Sequence, residues 1–357
     1  MKIGILSMQE IKNYGSFLQA FSLKKNIEAL GHTCEFINII PGEQLAPYKI
    51  PLFYKYRILF KRIWGWDFIK RSKYIYKYQK RFKFEFLPEL GVKNYHTTEY
   101  FDTVVIGSDE VFNCAQRSWF GFSKQLFGYN LNTNKIITYA ASFGATNYNI
   151  LKELNIDNTI SNLLININKI SVRDANSVET IKSLTGITPE KHVDPVLIFN
   201  YDSYIPTIKN LGDYMIVYTY PNRITSPEEI SAIRTYAHNK KLKLISIGHY
   251  FPWCDMTIIP HPFEVLAYFK YANCIVTDTF HGTIFSIKYN KQFCTIIRDM
   301  NSNKLTHLLK QFNLSDRIIT DIKMLPNILD TIIDYTPTNI EIQKEKKRSI
   351  EYLKNNL

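Results

Sequence analysis

Cys274-Ile-Val-Thr-Asp-Thr-Phe-His-Gly-Thr-Ile-Phe-Ser-Ile287 is the stretch that decides the fold. Its first five residues, CIVTD, read as a buried strand. Thr279 and Phe280 form a two-residue corner, and His281-Gly282 open an apolar helix, TIFSIKYN. A strand that enters a helix through so tight a corner sets the helix N-terminus at the C-terminal edge of a parallel sheet, where open α/β sheets bind ligands. Free N–H groups and the positive end of the helix dipole suit phosphate or carboxylate there. Gly282 lets a ligand approach the backbone. His281 adds a side chain that moves a proton near neutral pH. The competing reading makes His281 a helix cap and Gly282 the occupant of a crowded turn.

Outward from this stretch, strand and helix signals alternate, as in parallel sheets covered on both faces. KIGILS, TCEFINI, FDTVVIGSD, KIITYAAS, NKISVRD and KHVDPVLIF read as a first set of strands. Between them lie a long helix, NYGSFLQAFSLKKNIEALG, stopped by Gly31, and a shorter one, ANSVETIKSLTG, closed by Gly186. A second set begins near residue 213, with strands DYMIVYTY, LKLISIG, CIVTD and KQFCTII. The expected fold class is α/β: two Rossmann-like domains facing a cleft, over residues 1–200 and 201–335, followed by a C-terminal helix over 336–357.

A chain of 357 residues, 45% hydrophobic, has the material for two cores. The start, MKIGILS, turns polar at QEIKN and lacks the pattern of a signal peptide, and no run of about 18 apolar residues exists. Five cysteines stand far apart at 34, 114, 254, 274 and 294, without C-x-x-C or metal-like Cys/His spacing. A reducing cytoplasm is the expected location, and no metal site is expected.

The formal charge is +12, and it is concentrated. From Lys55 to Lys83 eleven basic residues face only Asp67, a net +10, interleaved with rings such as Tyr74, Tyr76, Tyr78, Phe82, Phe84 and Phe86. This stretch reads as an insertion over about 50–88. A surface helix with wet lysines over packed aromatics, an anionic membrane surface, and single-stranded nucleic acid all suit it. No nucleic-acid motif accompanies the charge, which makes that reading the weakest.

Other strand ends supply polar residues. Asn13-Tyr14-Gly15 separate the first strand from its helix, where N–H groups point outward. Gly107-Ser108-Asp109-Glu110 end another strand, with Asp109 placed to cap a helix or bind an acceptor hydroxyl. Arg173 follows a strand with no evident partner, so it is expected to project over the cleft and fork onto phosphate or carboxylate. Asp174 reads as the N-cap of ANSVETIK, and Asp194-Pro195 as a structural turn.

NYGSFLQAFSLKKNIEALGH, VVIGSDEVFN, ITYAASFG, ISVRD, HVDPVLI, VTDTFHGTIFSI and LTHLLKQFNLSDRII occur in this order and span almost the whole chain. The ordered set resembles the polysaccharide pyruvyl transferase family. The resemblance implies a GT-B-like fold and transfer of the enolpyruvyl unit of phosphoenolpyruvate onto a sugar as a cyclic ketal, with phosphate released. It matches the family's histidine with His281 and its strand-end arginine with Arg173. The chain departs from the family where Glu110-Val111-Phe112 replaces Gln-Val-Trp, and where Thr279 stands in place of an arginine carried by some members.

Such chemistry needs cations or helix N-termini for the anionic donor, a general acid, and a base for the hydroxyls. The expected catalytic residues are His281 and Asp109. Arg173, Thr279, Gly282 and Thr283 are the expected donor-binding set, and Asn13, Tyr14, Gly15, Ser108 and Glu110 line the acceptor side. Phosphoenolpyruvate is the expected co-substrate, with no other cofactor. The expected partner is a sugar acceptor carried on a lipid, met at the inner face of an anionic membrane. Two alternatives remain: a GT-B-like glycosyltransferase using a nucleotide sugar, and a polysaccharide-binding protein without chemistry.

Overall fold

The computed structural model describes residues 1–45, 66–93, 99–298 and 302–357. The part of the basic stretch from Lys55 to residue 65 lies outside the described residues.

The N-terminal half runs β1 (Lys2–Leu6), α1 (Tyr14–Glu28), β2 (Thr33–Phe36), α2 (Trp66–Arg81), α3 (Leu87–Leu90), β3 (Thr103–Asp109), β4 (Ile136–Ala141), α4 (Tyr148–Glu153), α5 (Asp157–Leu164), β5 (Ser171–Val172), α6 (Ala175–Thr185), β6 (Glu190–Lys191) and α7 (Pro195–Ile198). The second half runs β7 (Tyr214–Tyr218), α8 (Pro227–Asn239), β8 (Lys243–Ile247), β9 (Met256–Ile258), α9 (Pro262–Tyr271), β10 (Cys274–Thr277), α10 (Phe280–Lys288), β11 (Gln292–Ile296), α11 (Ser302–Gln311), β12 (Ile318–Ile319), α12 (Leu325–Asp330) and α13 (Thr336–Asn356).

The strands form two parallel six-stranded sheets, in the orders β2-β1-β3-β4-β5-β6 and β12-β11-β10-β7-β8-β9. Every residue of β3 and β10 is buried, which explains why both read as unbroken apolar runs instead of alternating ones. Strand order reverses beside β1 and β3 in the first sheet, and between β7 and β10 in the second. Such switch points leave a crevice at the strand C-termini. Here the two crevices face each other, and the loops after β1, β3, β7 and β10 build the junction between the domains.

Two expected strands are shorter than their sequences suggest. NKISVRD keeps two residues of strand, and only the first residue of KHVDPVLIF, Lys191, lies in the strand Glu190–Lys191 before the chain turns into α7. The cause is Asp194, whose carboxylate accepts from the Val196 N–H at 3.0 Å while Pro195 opens the helical turn.

α1 is buried on most of its circumference because both domains cover it. Phe17 and Phe21 pack edge-on against Phe263 of α9, and Tyr201 donates to the Leu18 carbonyl at 2.8 Å. α13 returns to the N-terminal domain, where Tyr352 donates to the Thr138 carbonyl at 2.9 Å and Leu353 is fully buried.

The described part of the basic stretch is a strap across both domains. Tyr74, Tyr78, Phe82 and Phe86 recur every four residues through α2 and the π-helical turn that follows it. Tyr14 meets the Tyr78 ring edge-on at 5.5 Å. Tyr74 donates to the Ile258 carbonyl at 3.2 Å, Arg81 to that of Ile259, and Glu89 stands 2.6 Å from His261. Phe68, Ile69, Ile75, Tyr76 and Phe84 are exposed on the outside, beside Lys70, Lys73, Lys77, Lys80 and Lys83. Among the described residues no helix is long and apolar enough to cross a membrane.

Candidate active site

β10 delivers the chain to α10 through Asp278 and Thr279. Thr279 is the N-cap, its hydroxyl accepting from the Gly282 N–H at 3.0 Å. The helix therefore begins one residue earlier than the sequence suggests, and His281 is not its cap. That frees the imidazole to face the other domain. It lies against Gly15, where an added Cβ would stand 2.2 Å from Nδ1. Gly15 thus serves the close approach of His281 to α1 and not that of a ligand.

Nε2 of His281 stands 3.5 Å from Oδ2 of Asp194, an ion-pair separation beyond a formed hydrogen bond. The same oxygen accepts from Nη1 of Arg173 at 2.9 Å. Arg173 continues to Asp109, with Nη1 to Oδ1 at 3.6 Å, and Asp109 accepts from the Ser16 hydroxyl at 3.0 Å. The guanidinium lies over the Phe280 ring at 4.0 Å, a cation–π contact from one domain to the other. Nε2 of His281 and Nε of Arg173 are shielded from solvent and make no hydrogen bond to any described residue.

Asp194 is fully buried. Burial pushes its carboxyl up, but His281, Arg173 and the Val196 N–H more than offset this and hold it below the usual carboxylate range. Burial likewise disfavours the charge on Arg173, while Asp109, Asp194 and Glu110 maintain it. Glu110 makes a second link between the domains, to Lys304 of α11 at 2.7 Å. Burial raises its carboxyl, yet Lys304, Arg173 and Asn113 bring it down to about 2. A narrow crevice beside this network is lined by Arg173, Lys191, Asp194, Phe280, Lys304 and His307. Its cationic groups suit a small anion.

Several expected site residues also make structural contacts. Arg173 is no free fork: it is buried and paired, because β5 and α7 bring Asp194 alongside it. Ser108 is fully buried and donates to Gln19 at 2.6 Å. Tyr14 is buried, with its hydroxyl on the Pro260 carbonyl. Gly282 is required because a Cβ would meet Thr277 Oγ1 at 2.2 Å, and its N–H is already taken by Thr279. Thr283 donates to the Thr279 carbonyl inside α10. Asn13 caps α1 by accepting from the Gly15 N–H, and its amide donates to Tyr220 across the cleft at 3.0 Å. Asp109 caps no helix. Its backbone is left-handed, φ 77°, which is costly for a residue with a side chain and is found at functional sites. Asp174 is the N-cap of α6, as expected. Sequence reading missed Asp194, whose Asp-Pro signature marks a short helix start as well as a turn. Among the described residues no group of three or more His, Cys, Asp and Glu could hold a metal ion.

Two parallel-sheet domains whose switch points meet at a charged junction make this a GT-B-like α/β protein. Residues 13–300 match the sequence profile described as polysaccharide pyruvyl transferase, and the chain belongs to that family. No curated protein matches the sequence. Among solved structures, UDP-GlcNAc 2-epimerase from Neisseria meningitidis bound to UDP-GlcNAc superposes with TM-score 0.49 at 11% identity, covering 100% of both chains. Glycosyltransferase SsfS6 from Streptomyces sp. SF2575, complexed with thymidine diphosphate, gives 0.49 at 10%, covering 99% of each. The S. aureus MnaA–UDP structure gives 0.48 at 11%, covering 100% of this chain and 97% of that one.

The Glu110–Lys304 pair gives a pH prediction. A carboxyl lowered to about 2 on folding, from an ordinary 4.5, stabilises the fold fully above about 4.5 and loses that contribution as the pH falls to about 2. The melting temperature of the wild type should therefore fall more steeply over this window than that of Glu110→Gln. Parallel pH profiles for the two proteins would show that Glu110 forms no such bond.

Proposed function

We propose that the protein transfers the enolpyruvyl unit of phosphoenolpyruvate to two hydroxyls of a sugar, forming a cyclic ketal and releasing phosphate. The observation that carries this reading is the junction of His281, Asp194 and Arg173, set in a family of polysaccharide pyruvyl transferases.

In this reaction the methylene carbon of the donor takes a proton, and the first sugar hydroxyl bonds to the central carbon and gives up its own. The carbon–oxygen bond to phosphate then breaks, leaving a cation stabilised by the sugar oxygen. The second hydroxyl attacks that cation, and its proton leaves with the phosphate. One hydroxyl proton ends on the new methyl group and the other on the released phosphate, so the sum balances.

His281 is the group placed to move the proton. Asp194 is held as a carboxylate, so it orients the imidazole and stabilises its charged form. Arg173, Lys191 and Lys304 around the crevice supply positive charge for the donor's carboxylate and phosphate. Asp109, already shared between Ser16 and Arg173, acts as a positioning residue for Arg173. The chemistry takes place where the two domains already touch, which excludes water from a cationic intermediate.

The acceptor in this reading is a lipid-linked sugar, and the protein meets it at an anionic membrane surface from the cytoplasmic side. Support comes from the outer face of α2, where exposed Phe68, Ile69, Ile75 and Tyr76 lie beside Lys73, Lys77 and Lys80. Apolar side chains flanked by lysines mark helices that lie in a membrane interface.

Phosphate release from phosphoenolpyruvate in the presence of glycoside acceptors tests the chemistry. His281→Ala should lower the rate by roughly 10²–10⁴ with its melting temperature near that of the wild type. Full activity in that variant, or release of phosphate with no acceptor-bound pyruvate, would count against the proposal. For the surface, the protein should co-sediment with anionic vesicles and not with neutral ones. Each lysine near such a surface contributes on the order of 1 kcal/mol, screened by salt. Replacing Lys73, Lys77 and Lys80 together by Glu should abolish sedimentation; binding that survives the change would remove the membrane from the account.

A further inference from the structure

A groove of about 770 Å³ lies apart from the crevice at Arg173. Glu10 and Lys12, from the loop after β1, line it together with Gln79 and Lys83 of the strap, Lys93, and Trp119. Its volume is that of a site for a small molecule, and it opens at the C-terminal ends of β1 and β2.

The walls are pinned in place. Glu10 accepts from the Ile39 N–H at 2.8 Å, tying the loop after β1 to the loop after β2. The Lys12 carbonyl accepts from Tyr78 at 3.1 Å, fixing the strap to the rim. Trp119 is carried on a loop that bridges to residues 42–44. Gly42 donates to the Phe120 carbonyl at 2.7 Å, and Phe122 to that of Glu43 at 2.7 Å. The approach is close enough that a Cβ on Gly42 would stand 1.9 Å from the Phe122 oxygen. Gly121, with φ 64°, permits the matching turn. A backbone bridge with two glycines thus holds an indole that is 54% exposed.

The lining has a definite chemistry. Lys93 is paired with Glu35 at 2.5 Å, whereas Lys12 and Lys83 form no ion pair with any described residue. Two ammonium groups call for an anion. An exposed indole offers an apolar face to the C–H side of a sugar ring, and Gln79 offers hydrogen bonds to hydroxyls. We propose that this groove binds a sugar carrying an anionic group, phosphate or carboxylate, as a part of the acceptor remote from the reacting hydroxyls. Lys12 and Gly15 are only three positions apart, at most about 10 Å of chain, and Gly15 touches His281. On this reading one acceptor spans from the groove to the junction. The inference rests on the pyruvyl-transfer reading for its role, but the binding itself does not.

Calorimetry with the full chain and no phosphoenolpyruvate tests it, using glucose 1-phosphate, glucuronate, glucose and inorganic phosphate as probes. The two charged sugars should bind at least tenfold more tightly than glucose, and added salt should weaken them. Which of the two binds better identifies the anionic group. The Lys12→Ala/Lys83→Ala variant should lose at least tenfold for both. Trp119→Ala should lose a similar factor for the sugars and leave inorganic phosphate unchanged. Binding of none of the probes, glucose binding as well as its phosphate, or affinities unaltered by these changes would each overturn the proposal. Such a failure would leave donor turnover at His281 standing, and failed turnover would leave the groove's affinities to be read on their own.

Discussion

The Asp194 carboxylate, shared between Arg173 of its own domain and His281 of the other, is the interaction around which the molecule is arranged. A buried carboxylate and guanidinium are costly to remove from water, and their attraction only roughly offsets that cost. Stability alone does not explain such a group at the meeting point of two domains. What it provides is a fixed charge at a fixed place. The α7 helix start gives Asp194 one N–H, Arg173 a second donor, and His281 the remaining interaction. Removing Arg173 would leave the buried Asp194 charge partly unpaired.

The rest of the interface follows from this constraint. Gly15 has no side chain because His281 needs its space, and Thr279 caps α10 so that the imidazole is left free. Phe280 covers the guanidinium from the second domain. Glu110 and Lys304 add an ion pair between the loop after β3 and α11, and the strap and α13 fasten the domains elsewhere. Asp278 shows the same economy behind the junction. Burial raises its carboxyl, while Arg223, Thr219 and Arg298 partly restore its charge and hold the corner between β10 and α10.

The sequence made some of this visible. The run from Cys274 to Ile287 has the strand, corner and helix that it predicts, because local pattern and tertiary position agree there. The tyrosines and phenylalanines at 74, 78, 82 and 86 show their four-residue spacing in the sequence, but not the domain they would bridge to. Arg173 looked unpaired because its partner follows two further elements along the chain and carries a turn signature. Tyr14, Ser108 and Thr283 looked like site residues since they flank polar strand ends. The pleat and the first turn of each helix send their side chains inward, where Pro260, Gln19 and Thr279 accept them. Periodicity identifies elements; it does not say which of two neighbours along a tight corner faces the cleft.

The central claim is that His281 and Asp194 act as one unit in moving the proton. A double-mutant cycle on phosphoenolpyruvate-dependent phosphate release, with His281→Gln, Asp194→Asn and both together, measures this directly. If the pair is a unit, the double variant will be about as slow as His281→Gln alone, since Asp194 then has nothing left to orient. Losses that multiply in the double variant, or a His281→Gln protein that retains the wild-type rate, would contradict the account.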